Sequence, residues 1–189
     1  MVNAGSHTLL VRLSIVLLCM MTSLSIAASQ AVRERLQGEY SIRRSAMARE
    51  GEARISAIQQ AVATLEPTLA KRWSGMLEAM TTPQGKIRIT IMNGEIAIAE
   101  GDRSALKSAA SGTERAINDY TRLHQRVEGA AVIKRVTLVN LEGRPLPSPL
   151  AITTRHTLSP DQRTLTVHTR VEGGQLTQAI ELSTTYDRM

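Results

Sequence analysis

The stretch Lys86–Glu100, KIRITIMNGEIAIAE, decides how the chain is read. Ile87, Ile89 and Ile91 alternate with Arg88, Thr90 and Met92, the period of a strand that buries one face. Asn93-Gly94 follows, and both residues tolerate the positive φ of a type I′ turn. Folding the chain there sets Ile91 opposite Ile96 and Ile89 opposite Ile98, so one face is aliphatic. An antiparallel sheet is expected to grow from this hairpin.

Downstream the chain reads as four further strands. Ala131 to Leu141 is rich in Val and Ile, and Ile152 to Leu158, Arg163 to Val171 and Gln175 to Tyr186 follow. Ser159-Pro160-Asp161-Gln162 and Gly173-Gly174 serve as turns. The first turn places Leu158 beside Arg163, His156 beside Leu165 and Ile152 beside Thr169. A two-residue Gly173-Gly174 loop places Val171 against Leu176, Val167 against Ile180 and Leu165 against Leu182. Apolar side chains then share one face, while Thr164, Thr166, His168, Arg170, Thr177, Glu181 and Ser183 occupy the other.

Upstream the period changes. Ser29 to about Leu65 reads as helix, with a loose stripe through Val32, Leu36 and Tyr40 and a tighter one through Ile55, Ile58, Val62 and Leu65. Glu66-Pro67 interrupts it, and proline suits the first turn of a second helix. Leu69, Trp73, Met76, Leu77 and Met80 line one side of that helix, which ends near Thr81-Thr82-Pro83. Gly101-Asp102 opens a third helix with Asp102 as N-cap. Its inner side carries Leu106, Ala109, Ala110, Ala116, Ile117, Tyr120, Leu123 and Val127, and Gly129 stops it. The expected fold class is α+β: N-terminal helices, then a curved antiparallel sheet, in the order α-α-β-β-α-β-β-β-β.

Leu13 to Val32 carries no charge and lies between Arg12 and Arg33. A short positive start, an apolar middle and the small residues of Ser25-Ile26-Ala27 match a secretory signal. Residues 1–28 are therefore a signal peptide or an N-terminal anchor, with 13–32 as the span if it is retained. Residues 29–82 form a helical segment and 83–189 the sheet portion of the same domain. The expected location is the periplasm, either free after cleavage or tethered to the inner membrane. Cys19 is the one cysteine and leaves with the signal, which removes thiolate chemistry from the mature chain. The absence of any Asn-x-Ser/Thr sequon favours a bacterial envelope.

Composition narrows the partners. The net charge is +6, and residues 1–28 hold one Arg and no acid, which leaves +5 on the mature part. The chain has no Phe, one Trp and three Tyr, too few aromatic platforms to stack on single-stranded nucleic acid. Basic residues are scattered among acids, which suits solubility and an anionic membrane surface better than a nucleic-acid groove.

Catalytic constellations are sparse. His156 and His168 fall on opposite faces in the register above and cannot share a metal ion, and His124 has no acid at matching spacing. No metal site and no cofactor are expected. Gly101 to Lys107-Ser108 resembles a phosphate loop, but Leu106 stands where the second glycine is needed. His156 lies on the apolar face, where an imidazole is either a hydrogen-bonded core residue or a functional group at the mouth of a cavity. A candidate cavity between sheet and helices is assigned to His156, Trp73 and Tyr120.

With Gly101-Asp102-Arg103-Ser104-Ala105-Leu106 opening the third helix, the element order is similar to the cone-shaped fold of the nuclear-transport-factor superfamily. That fold also forms the periplasmic domain of a bridging subunit in type IV secretion machines. The resemblance covers roughly Glu50 to Tyr186 as topology, and it lacks the aromatic residues common in such cones. The export segment, the long charged N-terminal helix and the lack of a catalytic constellation point to a non-enzymatic scaffold or interaction subunit of a membrane-associated assembly, of secretion or pilus type. The expected partners are envelope or inner-membrane proteins, with self-association left open. The alternative is a periplasmic small-ligand-binding protein or cofactor-free enzyme.

Overall fold

A computed structural model of the protein describes residues 35–141 and 143–189. The export segment, with its cleavage and anchor readings, lies outside the described residues. The described chain is dominated by one antiparallel sheet of ten strands. Its elements are β1 (Gly38–Ile42), α1 (Met47–Val62), α2 (Pro67–Thr81), β2 (Lys86–Met92), β3 (Glu95–Glu100), β4 (Leu106–Ala109), β5 (Arg115–Asn118), β6 (Thr121–Glu128), β7 (Ala131–Leu141), β8 (Arg144–Leu158), β9 (Thr164–Gly173) and β10 (Ile180–Arg188).

The spatial order is β4-β3-β2-β1-β10-β9-β8-β7-β6-β5. The sheet curls until β4 approaches β6, giving a nearly closed barrel. Direction alternates along this order, so β4 and β6, the first and ninth strands, run the same way. A ring of nine alternating strands must contain one parallel neighbour pair, and here it is the seam. No strand ladder spans it in this structure. Ser108 Oγ instead donates to Gln125 Oε1 at 2.8 Å and Gln125 Nε2 donates to the Leu106 carbonyl at 3.5 Å, and just past β4 an isolated antiparallel bridge joins Ser111 to Arg126. Beyond the seam β5 overhangs as a short flap on β6.

The hairpin that opened the reading is present as expected. Asn93 and Gly94 have φ of 52° and 76°, and Ile91 pairs with Ile96 and Ile89 with Ile98. All four isoleucines point into the barrel with Tyr40, Val132, Leu165 and Tyr186. This end of the interior is closed by hydrocarbon.

The helices pack against the other end. Glu66 accepts from the backbone N–H groups of Thr68 and Leu69 at 3.1 and 3.2 Å, and Pro67 sits in the first turn, so α2 starts as the sequence indicates. Trp73 and Leu77 of α2 and Ile58, Ala61 and Val62 of α1 bury against Leu150, Val171 and Ile180.

Four expectations are corrected. The third helix does not form: 101–105 is a loop, and 106–128 is β4, β5 and β6. Leu106 and Ser108, then Leu123, Gln125 and Val127, repeat with a period of two. The alanines between them fit a helical stripe equally well, which is why the period misleads. Without that helix the expected element order is not met, while the α+β class and the curved antiparallel sheet are. Secondly, the segment read as one helix from 29 to 65 contains β1, and Tyr40 is a fully buried barrel residue whose hydroxyl donates to the Leu36 carbonyl at 2.9 Å.

Thirdly, the β8–β9 register is offset from the expected one. His156 pairs with Val167 and Ile152 with Val171. The offset is two residues, an even number, so every side chain keeps its face. Fourthly, Gly173-Gly174 is not a two-residue hairpin loop. Ile180 pairs with Val171 and Tyr186 with Leu165. Residues 174–179 form a longer loop that docks on α1, where Thr177 donates through N and Oγ1 to the Ala61 carbonyl at 3.3 and 3.1 Å. The glycines are needed for close approach. A Cβ on Gly173 would stand 2.1 Å from the Pro149 carbonyl oxygen, and one on Gly174 would stand 2.5 Å from the Trp73 ring.

Candidate functional site

Between the two packed ends of the barrel lies a cavity of about 250 Å³. Its roof is the end of α2 and the link to β2, with Met80, Pro83 and Gln84. Its floor is the inner face of the sheet. Strand alternation delivers Lys134, Val136 and Leu138 from β7, Ile152 and Thr154 from β8, Val167 and Thr169 from β9, and Thr184 and Tyr186 from β10. Glu100, at the inward phase of β3 after Ile96 and Ile98, completes the wall, and Arg103 of the following loop stands at the rim.

Lys134 and Glu100 form an ion pair inside this space. The lysine side chain is 7% exposed and the glutamate 28%. Burial pushes the Glu100 carboxyl up, but the Lys134 ammonium, through its charge and hydrogen bond, with His156 and Arg103 adding, holds it below the ordinary glutamate value. Tyr186 beside it is pushed up, by burial first and by the charges of Glu100 and Glu50 second, so its phenol stays protonated. Burying two charges is expensive unless each is well paired. Among the described residues the only hydrogen-bond partner of Lys134 Nζ is Glu100 Oε1, which leaves part of the ammonium's donor capacity unused.

The three residues singled out from the sequence are not brought together. His156 is fully buried on the inner face, next to the ion pair but deeper than the cavity wall. Its Nδ1 lies 3.3 Å from the Val132 carbonyl, which assigns the proton to Nδ1, and Nε2 has no hydrogen-bond partner among the described residues. Burial, and then the Lys134 charge, depress its pKa to about 4, against the opposing pull of Glu100 and the Val132 carbonyl. It is therefore a neutral imidazole. Trp73 belongs to the hydrophobic cluster between helices and sheet. Tyr120 sits at the β5–β6 turn, half exposed, outside the barrel. His168 is on the outer wall, the face opposite His156, as the alternation requires.

Lys134 and Glu100 were legible in principle. Val132, Lys134, Val136 and Leu138 share one strand phase, and so do Ile96, Ile98 and Glu100. A charge at an inward phase calls for a partner, and each supplies the other's.

The outer wall carries a different arrangement. Glu128 accepts from Arg126 and Arg155 at 3.3 and 3.5 Å. Glu172 faces Arg135 and Arg170 at 3.9 and 2.9 Å, and Arg170 continues to Glu181, which His168 approaches at 3.6 Å. These charges compensate one another along and across strands. Among the described residues no group of three or more His, Cys, Asp or Glu could hold a metal ion, and no helix is long and apolar enough to cross a membrane.

No protein-family model, curated protein or solved structure matches this chain.

Proposed function

We propose that the protein is a small-ligand-binding protein of the bacterial cell envelope, which holds its ligand inside the sheet between α2 and strands β7 to β10. One observation carries this reading: the interior is packed with hydrocarbon at both ends, yet between them it keeps a cavity with a charged pair in its wall. A barrel built only for stability would fill that space with aliphatic side chains. The test is calorimetric titration of the full chain with three six-carbon probes that differ only in head group, hexanoate, hexanol and hexylamine. Binding of at least one is expected. Thr169→Phe, which fills the cavity from β9, is expected to abolish it while leaving the β-sheet circular dichroism intact. A folded Thr169→Phe variant that binds as well as the parent defeats the reading.

A second reading, as an interaction subunit of a membrane-associated assembly, is favoured by β5. All four of its residues are exposed, it has one free edge, and Ile117 and Tyr120 present apolar surface there. Photocrosslinkers at Ile117 and Tyr120 in intact envelopes should then capture envelope proteins. β1 sits inside the sheet between β2 and β10, so the segment from Gly38 onward is part of the sheet itself.

A further inference from the structure

We infer that the ligand of the barrel interior is a small monoanionic amphiphile, a carboxylate with a short hydrocarbon tail, whose head group is taken by Lys134 and Arg103. This rests on the reading of the cavity as a ligand site and assigns the chemistry of its occupant.

The lining mixes hydrocarbon and charge. Met80, Val136, Leu138, Ile152 and Val167 offer hydrocarbon, and Lys134, Glu100 and Arg103 bring the charges. A ligand matched to this lining has an apolar part and one polar end. The charged groups are two cations and one anion, an excess of one positive charge, so an anionic head is favoured over a neutral or cationic one.

Geometry agrees with charge. Lys134 Nζ directs one donor to Glu100 and has others to give, and Arg103 at the rim has a guanidinium that reads carboxylates with two parallel N–H groups. Glu100 is engaged at Oε1 alone, so the preference for an anion rests on the excess positive charge of the three groups. Tyr186 and the threonines of β8 to β10 complete the lining. Size sets the tail. A cavity of about 150 Å³ is enough to hold benzene. The space here, about 250 Å³, admits a ring or a short chain together with a carboxylate.

The same three probes decide the matter. Hexanoate is expected to bind about tenfold or more tightly than hexanol, the increment of one charge-assisted hydrogen bond, and hexylamine most weakly. Arg103→Gln, at an exposed position where folding is not at risk, should erase part of that preference. Lys134→Met with Glu100→Gln, which removes both charges together, should erase the rest while hexanol still binds. If hexanol or hexylamine binds as tightly as hexanoate, the cavity is a ligand site and the anion assignment is overturned. If none of the three binds, the ligand site itself is refuted along with it. A hexanoate preference that survives both variants places the anion elsewhere on the molecule and also overturns the assignment.

Discussion

The inner and outer walls of the barrel use the same ions to opposite effect. Outside, Arg126, Glu128, Arg155, Arg135, Glu172, Arg170 and Glu181 form ion pairs within and between strands, each partner about half exposed. Water already solvates them, so each pair contributes little. Inside, one lysine and one glutamate have been taken out of water, and their attraction has to offset that loss. The lesson is that abundance and importance separate. Many outer pairs set solubility and strand neighbours, whereas the single inner pair shapes the space that a ligand would enter.

The largest effect should follow from breaking the inner pair on one side only. Lys134→Met leaves Glu100 unpaired in the cavity wall and should cost about 3 kcal/mol in urea denaturation, the low end for such losses because the carboxylate keeps some solvent. Adding Glu100→Leu to the same chain should recover most of it. A single variant as stable as the parent would place the inner pair in the same class as the outer ones.

A comparable effect is expected from acid through His156. Its folded pKa, about 4, lies below its ordinary 6.5, so between those values the folded chain binds fewer protons than the unfolded one. Stability from this group is complete above pH 6.5 and is lost as pH falls toward 4, by about 3 kcal/mol in all. Glu100, whose carboxyl is depressed, adds its own loss only below the ordinary glutamate range. Denaturation midpoints measured from pH 7 to 4 should show this slope, and His156→Gln should flatten it. An unchanged slope in that variant would assign the acid sensitivity to other groups.

At the seam, Gln125→Leu leaves Ser108 without its partner and should cost about 1 to 2 kcal/mol. Faster amide exchange in β4 than in β2 would accompany it, since β4 is held by a ladder on one side alone. The smallest effect belongs outside: Arg170→Ala should leave the melting temperature where it was, although Arg170 bonds both Glu172 and Glu181.

What the sequence discloses varies along the chain for physical reasons. The 86–100 hairpin is legible because its turn chemistry and its alternation agree. Proline and an acidic cap mark the start of α2 equally well. From 106 to 128 the two cues part: alanines make the spacing ambiguous, and the inward residues at the seam, Ser108 and Gln125, are polar, so no hydrophobic alternation announces a strand. β1 is five residues long and takes its place only through β2 and β10, so nothing local identifies it. For the site, the inward phase of His156 was readable and survived a register error, because the error was even. The pair Lys134–Glu100 was readable by phase but joins strands 34 residues apart, a proximity that only the curl of the sheet creates.

The position of β1 bears on how the molecule is made. It pairs with β2 on one side and β10 on the other, so Tyr40 gains its second neighbour only when Arg188 has left the ribosome. Nearest-neighbour pairing can proceed through the later hairpins, but the ring stays open until both ends of the described chain meet. Closing so long a loop is slow. Joining β1 to β10 is therefore the step that closure of the sheet waits for.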